Sequence, residues 1–450
     1  MTSAANDIEA ALAAAPATPA GRQAAWYLSR ILAAGAGAGV ADFDRYVPAL
    51  AERLGVPVTQ EGAVAGWRQL GERLGDLRSL TFEPASGHAL AVRVEAAKDR
   101  RWALSLAVEE APPHRICRLE WKREHDFDLV VREAGPDDWP LLGAIERRAP
   151  IVRGEDEIWF DRGQAWFDFS RLMEDATVGI AFVDGEPSAV TCGARHRVRI
   201  GGADKRIVTV SHLRVLPEHQ RKGLWGAVNG VLEKYWPTVD GSNAFIAVGN
   251  AAMQHGFRNT PDKWPAPLLW ARLDCARLAG SAAGAPARPA EAGAIAALLS
   301  AFHGGEEMFV PYTEESLAAR LGRAPDLYSW DKVWVAPGAV LGVWPAGRAQ
   351  RVVTERGGAA SVSEAGVALD YAFAPGAEAA FETLVGAWCA HLAAAGMGTL
   401  SMFTSAASPG YEVVRWLAAG SLEEFNMWTP GIPVPPGAAE RGLYIDPVYF

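Results

Sequence analysis

Cysteine is scarce in this sequence: Cys117, Cys192, Cys275 and Cys389 are scattered through 450 residues with no CxxC pair. Such spacing supplies neither a disulfide framework nor a zinc knuckle, so no metal is expected and a reducing cytoplasm is the expected setting. Long apolar runs are lacking as well. None approaches the ~18 residues that a membrane span needs, and the alanine-rich N-terminus carries Asp7 and Glu9 with no basic segment, so neither a membrane nor an export signal is expected. Positive charge is in deficit. Lys and Arg number 43 against 53 Asp and Glu, a net charge of −10, which argues against a nucleic-acid surface. Only 21% of residues are charged and 50% are hydrophobic, which excludes a disordered or fibrous chain. The length suits about two to four domains.

The most organised stretch is RIVTVSHLRVLPEHQRKGLWGAVNGVLEKYW, residues 206–236. Ile207, Val208, Thr209 and Val210 predict a strand that runs on through Leu213 and Val215 and stops at Pro217. A helix is expected from Leu224 to Trp236, with Val228, Val231 and Tyr235 on one stripe and Trp225, Leu232 and Trp236 widening it toward the core. Between strand and helix lie the donors His219, Gln220, Arg221 and Lys222, then Gly223. A donor-rich turn that opens onto the unpaired N–H groups of a first helical turn suits an anion such as pyrophosphate. No GK[ST] follows a glycine loop, and no set of three spaced glycines precedes an acidic residue, so neither a P-loop nor a Rossmann site is indicated.

The order Val215-Leu216-Pro217-x-x-Gln220-x-x-Gly223 at a strand end resembles the coenzyme A motif of the GNAT acyltransferases, Gln/Arg-x-x-Gly-x-Gly/Ala. Trp225 stands where the family has Gly or Ala, and Gly226 follows it. The resemblance implies that acetyl-CoA or another acyl-CoA contacts Leu213, Arg214, Val215, Gln220, Arg221, Lys222, Gly223, Leu224, Trp225 and Gly226. The surrounding pattern extends the likeness over about 128–275. LVVREAGPDDWPLLGAIERRAP reads as an opening strand and first helix, Asp184-Gly185 as a hairpin turn, Gly201-Gly202 as a second turn, and NAFIAVGN as a fifth strand.

The expected fold class is α+β with mixed sheets, in three parts. Residues 1–125 pair helices through Trp26, Leu28, Ile31 and Leu32, and through Phe43, Tyr46, Leu50 and Leu54, with alternating strands at 90–94, 102–108 and 117–121. They resemble NTF2-like cones, which enclose a pocket or form dimers, so a homodimer is one possible assembly. His88, His114 and Arg115 either line such a pocket or serve as turn residues. Residues 1 to about 20 are expected to fray. A GNAT domain is expected over 126–275 and an Ala/Gly/Pro linker over 276–290. Residues 291–450 repeat the order of elements in tandem. Their corresponding turn, Ala374-Pro375-Gly376-Ala377, lacks both the Gln-x-x-Gly spacing and the basic residues, so this half reads as degenerate. Asp370 and Tyr371 sit at the end of its central strand, where an architectural role is the simpler one.

On the acceptor side, residues 155–169 interleave carboxylates and aromatics. Glu155, Asp156, Trp159, Asp161 and Trp166 either hold an ammonium group or form an ordinary amphipathic helix. Acyl transfer from a thioester to an amine needs a deprotonated amine, a polarised carbonyl and a proton for the departing thiolate. By resemblance the carbonyl donor is a backbone N–H near Val215. His212 is the candidate base on the key strand. The tyrosine that GNAT enzymes place after the fifth strand is missing from NAAMQHGFR, leaving His255 nearby. The tail GLYIDPVYF ends in a carboxylate at Phe450, which some tandem GNAT enzymes use as a base. The expected function is therefore acyl-CoA-dependent N-acyltransfer to a small amine in a ternary complex. A non-catalytic acyl-CoA binder, a thioester decarboxylase and transfer from aminoacyl-tRNA are the alternatives, the last at odds with the acidic charge.

Overall fold

The structure, a computed structural model, describes residues 3–35, 45, 77–96, 100–250, 253–254, 262–265, 267–280 and 284–449. Two compact units divide the chain, Met1–Phe127 and Asp128–Phe450. In the first, α1 (Ser3–Ala13) and α2 (Pro19–Gly35) precede an antiparallel meander of β1 (Leu77–Pro84), β2 (Ala89–Ala96), β3 (Arg100–Val108) and β4 (Ile116–Glu124). The alternation expected for β2 and β3 holds: Leu90, Val92, Val94, Leu104, Leu106 and Val108 share one core with Tyr27, Leu28 and Ile31 of α2. The segment expected to fray is instead helical, and Ile8 anchors it in that core. In β4 the inward positions fall on Ile116 and Leu119, and Cys117 is exposed, because the β3/β4 register shifts at Ala107/Val108. His114 and Arg115 are turn residues tied locally. The Nδ1 of His114 lies 3.0 Å from the Glu109 carbonyl, and Arg115 makes a two-pronged bond to the Glu109 carboxylate. The helix expected through residues 43–54 lies outside the described residues.

The second unit opens with β5 (Leu129–Glu133), α3 (Trp139–Arg148), β6 (Ile151–Arg153), β7 (Asp156–Phe160) and α4 (Asp168–Leu172). Then come β8 (Ala176–Val183), β9 (Glu186–Ile200), β10 (Ala203–Val215), α5 (Leu224–Val228), β11 (Gly241–Ala247), β12 (Leu268–Asp274) and α6 (Cys275–Leu278). Its later part holds β13 (Ala285–Pro286), α7 (Ala292–His303), α8 (Glu314–Arg323), β14 (Val333–Ala336), β15 (Ala339–Arg356) and β16 (Ala359–Phe373). It closes with α9 (Glu378–Ala394), β17 (Thr399–Ser405), α10 (Tyr411–Ala418) and β18 (Leu422–Trp428). One sheet runs through all of it in the order β13-β14-β15-β16-β17-β12-β18-β11-β10-β9-β8-β5.

Positive-φ residues make the tight corners of this sheet. Asp184 (φ 51°) and Gly185 (φ 85°) turn β8 into β9, as expected of an Asp-Gly hairpin. Gly201 (φ 60°) and Gly202 (φ 80°) join β9 to β10, and Gly357 (φ 57°) and Gly358 (φ 83°) join β15 to β16. Each half also contains one parallel pair, β10 with β11 and β16 with β17. The halves exchange strands at the middle: β12 lies between β17 and β18, and β18 between β12 and β11. The segment expected as a linker is partly built into this sheet, with β13 paired to β14 and the Gly280 amide donating to the Gly386 carbonyl at 3.1 Å.

Glycines decide how closely the stretch after β10 packs. A Cβ on Gly193 of β9 would fall 2.4 Å from Leu232, and one on Gly179 of β8 would fall 2.6 Å from Val231. Gly193→Val therefore should wedge Leu232 off the sheet and cost about 1–3 kcal/mol as an overpacking change. Urea unfolding would show this as a lower midpoint with an unchanged slope; an unshifted midpoint would contradict the packing described.

Candidate active site

β10 and β11 pair in parallel for four residues, from Ile207/Gly241 to Val210/Ala244. Past that point β10 stays bonded to β9 as far as Val215, while β11 follows β18 to Ala247. The two strands part between them. A bulge sits where the parting begins: Ser211 faces Cys192 and Arg214 faces Val190, so two residues of β10 stand against one of β9, and His212 takes φ 53°. Bulges of this kind free backbone groups from the ladder and re-aim side chains. The sequence predicts the strand, but a bulge is a matter of register and leaves no mark in the alternation.

The turn after β10 is fixed at its base by Leu216, fully buried, whose amide donates to Ser188 O at 2.9 Å. Residues 217–219 form a 3-10 turn, Arg221 adopts φ 65°, and Gly223 (φ 90°) caps α5. Gln220 Nε2 donates to Val215 O at 3.3 Å, which ties the turn to the strand end. Arg221 and Lys222 are exposed, and a Cβ on Gly226 would meet nothing within 4 Å. Open backbone, two exposed cations and the first amides of α5 together fit a pyrophosphate. Two details differ from expectation. α5 ends at Val228 and continues as 3-10 turns over Asn229–Leu232 and Trp236–Thr238, since Gly226, Gly230 and Pro237 are poor helix formers. Leu224, Val228, Leu232 and Tyr235 are buried as expected, whereas Trp225 and Trp236, expected to widen the stripe toward the core, are 38% and 41% exposed.

His212 projects inward. Its ring packs edge-on against Trp166 and Phe169, its Nδ1 lies 3.1 Å from Ser211 Oγ, and its Nε2 is buried without a partner. Burial, then the charges of Arg162 and Arg214, hold its pKa well below the usual imidazole range, so it is neutral at pH 7. Next to it lies a buried ion cluster that the sequence reading missed. Glu146 and Arg162 are 1% and 3% exposed and bonded at 3.0 Å, with Arg214 Nε 3.4 Å from the same carboxylate. In sequence they read as ordinary surface residues of a charged helix and a polar turn, and nothing local marks a buried carboxylate.

A cavity of about 150 Å³ lies over β9, β10 and β11, bounded by His196, Thr209 and Asn243 on the sheet and by Tyr312, Tyr444 and Tyr449 above it. Thr209 Oγ1 donates to Asn243 Oδ1 at 2.6 Å, so it can only accept from His196 Nε2 at 2.7 Å, which sets the imidazole tautomer. Tyr449 stacks on His196 with centroids 3.8 Å apart at 9°. The C-terminal tail thus borders the cavity, anchored by Asp446, which Arg320 binds while also holding Asp370 at 3.0 Å. Asp370 in turn accepts from Tyr312 and Tyr328, and the Tyr371 hydroxyl donates to the Phe403 carbonyl, so both residues at the end of β16 are structural. Phe450 and His255 lie outside the described residues.

The five acceptor residues do not line this cavity. Residues 156–160 form a strand rather than a helix, because β7 pairs with Val352–Arg356 of β15. Asp156 binds Arg356, Asp161 lies 3.7 Å from Arg351, Trp159 faces Val353 across the ladder, and Glu155 is exposed in the β6/β7 turn. Trp166 is 2% exposed in the core. In the turn Ala374-Pro375-Gly376-Ala377, the amide of Gly376 is taken by the carboxylate of Glu378 at 3.2 Å.

Burial holds the pKa of His196 down to about 3, and that of His212 is also depressed. Both imidazoles stay neutral in the fold but take up a proton in the unfolded chain below about pH 6.5. The unfolded state then binds more protons, so stability should fall as the pH drops from about 6.5 toward 5, above the range in which most carboxylates titrate. His196→Phe combined with His212→Phe should flatten the urea midpoint across that window. An equally steep decline in the double variant would rule these groups out as its source.

No protein-family model matches the chain, and no curated protein sequence matches it. Among solved structures it is similar to Saccharomyces cerevisiae N-myristoyltransferase with bound myristoyl-CoA, at a TM-score of 0.50 and 8% identity over 70% of this chain and 85% of that one. A GCN5-related N-acetyltransferase from Kribbella flavida gives a TM-score of 0.36 at 12% identity, over 67% of this chain and 71% of that one. The likeness to N-myristoyltransferase shows a shared fold, and the strand order and the parting of β10 from β11 are features of that fold in this chain.

Proposed function

We propose that this protein is an acyl-CoA-dependent N-acyltransferase that passes an acyl group, acetyl in the first instance, directly to a small amine. The observation that carries the reading is the sequence of features along β10: a bulge where the strand leaves its parallel partner, followed at once by an open, basic, glycine-capped turn. A structural relative was solved with myristoyl-CoA bound, which supports a thioester of coenzyme A as the donor. Pyrophosphate is read onto residues 220–226 and the pantetheine arm into the gap between β10 and β11. Residues 1–125 are read as an NTF2-like accessory module and 291–450 as a GNAT-like half without its own coenzyme, since Glu378 already occupies its turn amide.

In this reading the thioester carbonyl accepts from a freed backbone N–H near Val215. The amine approaches from the cavity side and its nitrogen attacks the carbonyl carbon; the carbon–sulfur bond then breaks and the thiolate takes a proton. Backbone donors aimed at the developing oxyanion are the main catalytic contribution. A neutral, enclosed His212 is a weak proton acceptor, so the base is read on the cavity side, where Tyr449 stacks on His196.

Calorimetric titration of acetyl-CoA tests the donor site. Binding should be lost in Gly223→Glu, where the new carboxylate meets the pyrophosphate, and kept to within about tenfold in Gly223→Ala, which shares the backbone strain of φ 90° without the charge. Absence of binding by the folded parent protein would sink the acyl-CoA reading. Free-thiol detection with acetyl-CoA and a panel of small amines tests turnover, and binding without turnover on any amine would favour a non-catalytic acyl-CoA sensor.

A further inference from the structure

Four buried polar atoms beneath the β10 bulge have no hydrogen-bond partner among the described residues: Glu146 Oε2, Arg214 Nε, His212 Nε2 and Trp166 Nε1. Such atoms are uncommon in a packed interior; here Glu146 Oε2 and Arg214 Nε face each other at 3.4 Å, and Trp166 and His212 belong to rings packed edge-on. Glu146 is the centre of the group. Its Oε1 accepts from Arg162 Nη1 at 3.0 Å, and Arg162 is itself anchored through Nε to Ala349 O at 3.0 Å on β15. Its Oε2 faces Arg214 Nε at 3.4 Å, and Arg214 Nη1 donates to Leu213 O at 2.9 Å.

A line of polar contacts therefore runs from α3 through a carboxylate and a guanidinium to a single backbone carbonyl inside the bulge. A peptide unit is planar, so holding the Leu213 carbonyl also fixes the direction of the Arg214 N–H on the far side of that plane. Packing alone would not call for this arrangement. An apolar group of similar size is commonly as stable as a buried carboxylate with two guanidiniums, because desolvation opposes the ion pairing. A bulge, by contrast, has lost ladder bonds and needs another restraint to hold one geometry.

We propose that Glu146 is a positioning residue of the acyl-transfer site: acting through Arg214, it sets the orientation of the 213–214 peptide and so of the backbone donors at the end of β10. This rests on the acyltransferase reading for its consequence, but the restraint on the bulge is measurable without turnover. Glu146→Gln keeps the shape and one acceptor oxygen while removing the charge that holds Arg214. Arg214→Gln, at a side chain 19% exposed, is the variant more certain to fold.

Amide hydrogen exchange should speed up at least about tenfold in peptides covering residues 209–216 of either variant, with β8 and β17 unchanged. With an accepted amine, kcat of Glu146→Gln should fall on the order of 10-fold to 100-fold while its KM for acetyl-CoA stays within about twofold, and the double variant should have a kcat no worse than the poorer single one. Unchanged exchange at 209–216 in a folded Arg214→Gln would overturn the proposal, as would additive losses in the double variant. If the parent protein turns over no amine, that outcome counts against the acyltransferase reading, and the exchange experiment alone decides this one.

Discussion

Parallel strands that separate must satisfy their backbone elsewhere, and this constraint shapes the whole second unit. β10 can leave β11 after Val210 because β9 supports it from the other side, and β11 can leave β10 because β18 takes its far edge. The bulge at Ser211–Arg214 turns the departing strand away, and Leu216, sealed in the core, fixes where the following turn begins. Every other feature of the site is placed relative to that opening. α3 and α4 lie on one face of the sheet, α5 is let down close on the other by Gly179 and Gly193, and the C-terminal tail closes over His196.

Electrostatics then separates the site into regions of different character. The turn at 219–226 is open and cationic, suited to a solvated anion. Below the bulge the charges are buried and paired with a positive excess, and burial first, then that excess, keeps His212 unprotonated. Over the sheet, the tail is fastened by Asp446 to Arg320, which also answers Asp370, so one guanidinium holds β16 and the C-terminal segment together. At the head of α9, by contrast, Glu378 takes the amide of Gly376 and satisfies its own turn.

What could be read in the sequence was local. The β-branched run at 207–210, the Asp184-Gly185 and diglycine turns, the cap at Gly223 and the alternation of β2 and β3 all depend on residues within one element, and all are found where expected. Four things were not legible. The bulge at His212 is a shift of register against β9. The pairing of β7 with β15 joins residues about two hundred positions apart, and it turns an apparent amphipathic helix into a strand. The burial of Glu146 and Arg162 depends on what covers them. The exposure of Trp225 depends on which face of α5 meets the sheet, and that of Trp236 follows a helix that stops early at Asn229, where Oδ1 of the asparagine accepts from Thr191.

The exchange of β12 and β18 couples the halves more tightly than a linker could. Each supplies a strand that the other's sheet is missing, so melting either half would strip both neighbours from the strand lent by the other. The halves are thus expected to unfold as a single cooperative body. That body includes the candidate site, because the cavity over β9, β10 and β11 is roofed by Tyr312, Tyr444 and Tyr449 from the later part of the chain.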